Sequence, residues 1–415
     1  MTLQRTTVGI LVGGGPAPGI NSVISAVTIR SIHGGCDVVG ILDGFKWLME
    51  GSTSRVRPLS IEEVNRIHFQ GGSYLGTSRA NPTKKAKHLD NVLSALTGLG
   101  IMRLVTIGGD DTAFSALKLE ERSSGRIQIV HVPKTIDNDL DLPYGIPTFG
   151  FQTARHFGVE IVKNLMVDAQ TMSRWYFVVT MGRKAGHLAL GIGKASGATL
   201  TVIPEEFRER PVKLHRLLDL LIGTIIKRLN SGRADGVVVL AEGLVEILDP
   251  QDLGGLEHVE RDEHGHLRLA EVDIGGLLRR EATKGMKALG LSISIVSKTI
   301  GYELRCADPI PYDIEYTRDL GYCAAQYLLD GGTAAMVSIQ DGRFTPIPFK
   351  QMVDPATGRA KVRMVDIGSQ SYQIARQYMI RLTDGDFNDP AVLGRCAALA
   401  GLSPEAFRNR FANVG

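Results

Sequence analysis

Residues 8–21 read Val8-Gly9-Ile10-Leu11-Val12-Gly13-Gly14-Gly15-Pro16-Ala17-Pro18-Gly19-Ile20-Asn21. An unbroken apolar run enters a glycine-rich turn, and an apolar helical run follows from Val23 to Ile29. A continuous rather than alternating apolar strand implies a sheet covered on both faces, the pattern of parallel α/β architecture. Comparable runs recur at Val38 to Leu42, Leu104 to Ile107, Ile127 to Val132, Phe177 to Thr180, Thr199 to Ile203 and Val237 to Leu240. The expected fold class is therefore α/β, and ligands belong in the crevice at the strands' carboxyl ends.

At 415 residues the chain is long enough for two domains, each with a full core. Hydrophobic residues make up 43% and charged residues 22%, the mix of an ordinary globular protein rather than a disordered or fibrous one. A net charge of +3, with no Lys/Arg block among aromatics, gives no footprint for nucleic acid. Cys36, Cys306, Cys323 and Cys396 stand far apart without a C-x-x-C pair, which argues against zinc and against a disulfide framework. Buried thiols in a reducing cytoplasm are the expectation. No stretch reaches the roughly 18 apolar residues of a membrane helix, and Val8 to Val12 is too short for a signal-peptide core. The chain is thus expected to be cytoplasmic and to bind no membrane.

Pro143-Tyr144-Gly145-Ile146-Pro147 breaks regular structure before a helix that begins around Phe151. This places one domain at 1–148 and a second at 149–330, with 331–415 as a C-terminal segment, helical from Ser369, packing on a domain or a neighbouring subunit. The composition shift from Glu246 to Arg280 reads as an insertion, with Asp262-Glu263-His264-Gly265-His266 at a polar hairpin tip. His264 and His266 have no further clustered ligands and read as a solvated turn rather than half a metal site.

Two acidic loops carry the chemistry. Gly108-Gly109-Asp110-Asp111-Thr112 ends one strand and Pro133-Lys134-Thr135-Ile136-Asp137-Asn138-Asp139 ends the next. One carboxylate of the first pair can hold Mg²⁺ against phosphate oxygens, since Mg²⁺ takes few carboxylates plus substrate oxygens. The other, beside bound phosphates, repels any donor that places a further phosphate there. A helix N-cap is the competing reading for Asp111. In the second loop, one aspartate can accept a hydroxyl proton while the other orients it or holds metal through water. Thr135 can bond the moving phosphoryl group and Lys134 can neutralise it. Taken alone, an Asp-Asn-Asp sequence is also a common polar turn.

The loop at Gly13 to Asn21 can present backbone N–H groups to a phosphate, or can simply be a tight strand-to-helix turn. It matches neither the dinucleotide fingerprint in its usual setting nor the Walker loop. Met181-Gly182-Arg183 and Ala241-Glu242-Gly243 end two more strands and put an arginine fork and a carboxylate where a phosphorylated sugar can lie. Arg174 and Gly301-Tyr302-Glu303-Leu304-Arg305 add donors for a phosphate monoester; singly, each arginine also reads as a surface ion pair.

Together these motifs resemble the phosphofructokinase family from the first strand to about Leu329. Gly14-Gly15, Gly108-Gly109-Asp110, Thr135 to Asp139, Met181-Gly182-Arg183, Glu242 and Tyr302-x-x-Arg305 occur in the family's order at compatible spacing. The resemblance implies two Rossmann-like, three-layer domains with a mostly parallel sheet in each and the active site in the cleft between them. It implies Mg²⁺-dependent phosphate transfer to the 1-hydroxyl of fructose 6-phosphate. Asp137 then looks like the base, Asp110 the metal site, Gly14 and Gly15 the phosphate loop, and Arg79 a bridge between donor and acceptor phosphates. Thr135, Ile136, Met181, Gly182, Arg183 and Glu242 look like sugar contacts, and Tyr302 and Arg305 like 6-phosphate contacts. Arg174 looks like a 6-phosphate contact reaching in from a neighbouring subunit of a homodimer or homotetramer.

Two departures from the family's ATP-using pattern bear on the donor. That pattern has glycine where this chain has Asp111, and glycine again where it has Lys134. Both changes are similar to the pyrophosphate-using branch, as is Tyr302 in place of a histidine. Pro16, where many members have aspartate, leaves only the first loop's details open. Pyrophosphate is the expected donor, with Asp111 and Lys134 in the catalytic set beside Thr135, Asp137 and Asp139. An ATP-dependent member is the nearest alternative; a noncatalytic regulatory subunit is opposed by the intact Asp137, Asp110 and Arg183.

Overall fold

A computed structural model of the chain describes residues 5–143, 145–253, 272–355 and 361–412. It divides into two compact units, each made of two chain segments. Unit 1 takes Met1–Ala154 and Tyr302–Arg363; unit 2 takes Arg155–Gly301 and Met364–Gly415.

Unit 1 is built on a sheet ordered Ile347–Pro348, Ala335–Met336, Gln128–Thr135, Ile101–Gly108, Thr7–Val12, Asp37–Ile41, Val56–Pro58, with Phe149–Gly150 also paired to Gln128–Thr135. All neighbours are parallel except the two outermost strands. Along the first strand Val8, Ile10 and Val12 join one buried cluster and Leu11 another, so alternate side chains feed opposite faces. The first face is covered by the helices Ile20–His33 and Pro311–Leu329, the second by Ala86–Gly98 and Asp110–Ser123. The result is the three-layer arrangement that continuous apolar strands require.

Unit 2 has an all-parallel sheet ordered Ile295–Ile300, Trp175–Thr180, Gly236–Ala241, Leu200–Val202. The helices Leu214–Asn230 and Ile274–Ala288 close a core that includes Trp175, Phe177, Ile222 and Leu278. The helix His187–Ser196 also packs on this sheet.

The α/β class therefore holds in both units, and the strand-final motifs do lie at carboxyl ends. The linear division does not hold. The first crossing falls inside the helix Phe151–Met172, after Ala154, and the chain returns to unit 1 at Tyr302. The physical cause is packing: Leu320, Ala324 and Leu328 of the returning helix complete the core over Ile20, Val23 and Ile24. Asp313 on that helix is fully buried. Its Oδ1 accepts from the Gly150 amide at 2.9 Å, and its Oδ2 from the Thr153 amide at 2.7 Å and from the Thr153 hydroxyl. Burial raises its pKa above the ordinary carboxyl range.

The expected insertion is also corrected in part. Leu244–Ile247 and Ile274–Ala288 are helices whose Leu244, Ile247, Leu277 and Leu278 belong to the unit 2 core. The Asp262 to His266 hairpin lies outside the described residues. All four cysteines are free, but only Cys36 and Cys396 are buried; Cys306 is exposed and Cys323 partly so. Among the described residues no helix is long and apolar enough to cross a membrane.

The C-terminal helices Pro390–Leu399 and Pro404–Phe411 pack on Leu214–Asn230, with Cys396, Phe407 and Phe411 almost wholly buried. They are core rather than tail. Phe407→Ala should lower the unfolding free energy by about 3–5 kcal/mol, the cost of emptying an aromatic-sized space. Urea unfolding measures this, and a loss under about 1 kcal/mol would return the segment to the surface.

Candidate functional site

In unit 1 the chain runs from the first strand to Asp37–Ile41 on one side and later to Ile101–Gly108 on the other. A crevice opens where strand order reverses in this way. Register sets Val12 beside Ile107 and Gly108 beside Pro133, and the Gly13 amide donates to the Ile107 carbonyl at 2.8 Å. The glycine-rich loop and both acidic loops therefore emerge side by side.

Thr112 explains two of the glycines. A Cβ on Gly13 would lie 2.4 Å from its Oγ1, and one on Gly108 would lie 2.3 Å from its Cβ. Gly14 has φ of +84° and its amide donates to the Ser78 carbonyl at 2.8 Å, while the Thr77 hydroxyl donates to the Gly14 carbonyl at 2.7 Å. These bonds pin Gly76 to Arg79 against the glycine-rich loop and bring the exposed Arg79 next to it.

Asp110 and Asp111 occupy the first turn of the helix Asp110–Ser123, whose N-cap is Gly109. The N-cap reading of Asp111 is thereby excluded. Both carboxylates sit at the positive end of the helix dipole, and Asp111 is exposed. Among the described residues no group of three His, Cys, Asp or Glu side chains converges on one point. Asp110 therefore belongs to no all-protein cage among them, and a carboxylate at this position fits Mg²⁺ whose remaining ligands are phosphate oxygens and water.

Lys134 is the last residue but one of its strand and only 5% exposed. Its Nζ donates to the Gly15 carbonyl at 2.6 Å, which seats the ammonium on the glycine-rich loop. Asp137 follows at the mouth, with its amide donating to Thr135 Oγ1 at 3.0 Å. Asn138 has a left-handed φ of 58°, and Asp139 is buried. Beneath the loops lies His131, wholly buried, with Nε2 at 3.0 Å from the Gly108 carbonyl and Nδ1 at 2.9 Å from Thr106 Oγ1. It ties together the strands that carry the two acidic loops.

Tyr302 and Arg305 stand on a short helix at the start of the second segment of unit 1, outside the expected sugar domain. Their grouping is with the glycine-rich loop. Arg305 stacks on Tyr302, 4.5 Å from guanidinium carbon to ring centre, and its Nη1 lies 3.0 Å from where a Gly15 Cβ would be. Gly15 leaves room for that guanidinium.

In unit 2, Thr180 pairs with both Ala241 and Ile300, so Met181, Glu242 and Gly301 emerge together. Glu242 Oε1 accepts from the Gly182 amide at 3.2 Å and the Arg183 amide at 2.7 Å. It shapes the loop that presents the exposed Arg183, whose φ is 47°. Glu205, unremarked in the sequence, accepts from the Gly186 amide at 2.9 Å and the Val365 amide at 3.0 Å; burial raises its pKa. Arg174 donates to Asp168 at 2.9 Å within its own chain.

Both units are α/β sheets with glycine-, aspartate- or arginine-bearing loops at their carboxyl ends. A family model described as Phosphofructokinase matches residues 7–328, and the chain belongs to that family. It is 55% identical over 408 residues to the pyrophosphate–fructose 6-phosphate 1-phosphotransferase of Thermotoga maritima, covering 97% of each chain. A protein of the same name from Naegleria fowleri is 50% identical over 414 residues, covering 98% of this chain and 95% of that one. Among solved structures, a pyrophosphate-dependent phosphofructokinase from Nitrosospira multiformis shares the fold, with a TM-score of 0.69 at 17% identity over 91% of this chain and 93% of that one.

Burial lowers the His131 pKa from the ordinary 6.5 to about 3, the Lys134 charge adds to the fall, and the bond to Gly108 opposes it. Neutral His131 therefore contributes stability that is fully present above pH 6.5 and is lost as pH falls toward 3. Between those values its share of the slope is up to about 1.4 kcal/mol per pH unit. Urea unfolding at pH 7, 6 and 5 should show His131→Gln with a correspondingly shallower acid loss; parallel slopes would mean that His131 is not buried neutral.

Proposed function

We propose that this chain is a reversible, Mg²⁺-dependent diphosphate:fructose-6-phosphate 1-phosphotransferase. It moves one phosphoryl group of pyrophosphate to the sugar's 1-hydroxyl, giving fructose 1,6-bisphosphate and orthophosphate. The observation that carries this reading is the buried Lys134 ammonium held at 2.6 Å on the Gly15 carbonyl, with exposed Asp111 beside the same crevice. A compact pyrophosphate lacks a nucleotide's contacts, and a fixed cation supplies part of the missing attraction. The Asp111 carboxylate disfavours a donor that extends past its second phosphate.

Asp137 takes the proton from the 1-hydroxyl as that oxygen attacks phosphorus, the bridging P–O bond breaks, and orthophosphate leaves in line. Asp139, next but one along the loop, orients the attack, and Thr135 and Lys134 stabilise the phosphoryl group in flight. Asp110 would hold Mg²⁺, which when bound neutralises charge on the pyrophosphate oxygens. Gly14, Gly15 and Arg79 hold the donor; Ile136, Met181, Gly182, Arg183 and Glu242 hold the sugar; Tyr302 and Arg305 hold its 6-phosphate. Arg174 reaches a neighbouring subunit's 6-phosphate in a homo-oligomer, which requires its Asp168 pair to open or be shared. The setting is cytoplasmic carbohydrate metabolism.

Initial rates on fructose 6-phosphate with Mg²⁺ and either pyrophosphate or ATP as sole donor check the assignment. Wild type should turn over with pyrophosphate alone. Asp111→Gly/Lys134→Gly should lose at least about 100-fold in kcat/KM for pyrophosphate, nearly 3 kcal/mol of transition-state stabilisation. A wild type that prefers ATP would contradict the reading. Asp137→Ser should lose most of kcat with little change in KM.

A further inference from the structure

Arg363 is the last residue of unit 1, 225 positions from Asn138 in sequence, and the functional reading gives it no role. Its guanidinium is spread over the loop that follows Asp137. Nε donates to the Asn138 carbonyl at 3.1 Å, Nη1 to the carbonyls of Leu142 at 3.3 Å and Ile146 at 2.8 Å, and Nη2 to Asn138 Oδ1. The Arg363 amide donates to the Asp139 carbonyl at 2.8 Å, and Val362 forms an antiparallel bridge with Leu140. Residues 362 and 363 therefore lie alongside this turn.

We propose that Arg363 is a positioning residue for phosphoryl transfer: it fixes the backbone of the Asp137 loop, and hence the carboxylate of Asp137, without touching either substrate. The proposal rests on the reading of Asp137 as the base. Three observations support it.

The first is local conformation. Asn138, bonded directly to Asp137, has a φ of 58°, a left-handed conformation that asparagine adopts more readily than most side chains and that sets the direction of the chain past Asp137. Arg363 grips both the carbonyl and the side chain of that residue.

The second is a relay. Asn138 Oδ1 also accepts from the Thr148 amide at 3.0 Å, the Thr148 hydroxyl donates to the Thr135 carbonyl at 2.7 Å, and Thr135 Oγ1 accepts from the Asp137 amide at 3.0 Å. One connected set of bonds leads to the Asp137 amide, and Arg363 enters it from outside residues 135–148.

The third is the choice of side chain. Arg363 is half-buried, and burial lowers its pKa while the charges of Asp139 and Asp141 raise it. A guanidinium stays charged there and offers planar, divergent donors; a lysine ammonium offers a point charge that cannot span Asn138, Leu142 and Ile146. Turn carbonyls spaced along a loop call for the fork.

Misplacing a reacting group by about 1 Å costs on the order of 100-fold in rate. Arg363→Ala and Arg363→Lys should each lower kcat by roughly 10- to 100-fold, with KM for pyrophosphate and fructose 6-phosphate changed by less than about threefold. Guanidinium ion at low millimolar concentration should restore part of the Arg363→Ala rate and none of the Arg363→Lys rate. Combining Arg363→Lys with Asn138→Ala should be no worse than the poorer single variant, because both act through one network. Should Arg363→Ala fail to fold, judged by near-ultraviolet circular dichroism, Arg363→Lys and the double variant decide. Wild-type kcat in Arg363→Lys, a loss confined to KM, or strictly additive losses would each overturn the proposal. Asp137→Asn separates the two layers: if it stays active the base reading fails, whereas a dead Asp137→Asn beside a fully active Arg363→Lys removes only the clamp.

Discussion

The Lys134 ammonium on the Gly15 carbonyl is the contact on which the rest of the unit 1 site depends. A cation only 5% exposed needs partners, because desolvating an ammonium costs several kcal/mol unless hydrogen bonds and opposite charge offset it. The Gly15 carbonyl, at 2.6 Å, supplies one and ties the end of the Gln128–Thr135 strand to the turn after the first strand. The same charge helps to keep His131 neutral below, and so the link between the two acidic-loop strands is a plain hydrogen-bond relay.

The geometry that delivers this contact is ordinary parallel-sheet register. Glycines at Gly13 and Gly108 give way to Thr112, and the strand ends close up around it. The two carboxylates of the next helix then begin where backbone N–H groups point outward. Unit 2 repeats the principle with Thr180 between Ala241 and Ile300, and with Glu242 folding the loop that carries Arg183. In both units the candidate side chains sit at strand ends, in the loops that follow them or in the first turn of the next helix, where rigid elements hold the backbone.

The strands and their terminal loops were legible because fully buried parallel strands are written as unbroken apolar runs, and because glycine and aspartate mark the turns that follow them. Lys134 and Asp111 were legible as charged residues where the ATP-using members of the family carry glycine. The interleaving of the units was not. Nothing in the composition of Tyr302–Leu329 says that it returns to cover Ile20–His33 and to bring Arg305 to the glycine-rich loop. The helix Ile274–Ala288 was masked by the polar stretch before it, which drew it into an apparent insertion. His131 reads as one more residue of a strand, and Arg363 lies in a polar segment of extended chain. Their roles rest on contacts far apart in sequence, which local pattern does not encode.

The most direct test of the account runs the reaction backwards. Phosphorus NMR would follow the full-length protein with Mg²⁺, fructose 1,6-bisphosphate and orthophosphate, with no nucleotide present. A growing pyrophosphate resonance matched one-to-one by fructose 6-phosphate is the predicted result, and it should vanish in Asp137→Asn. No pyrophosphate under these conditions, together with ATP formation once ADP is supplied, would contradict the account.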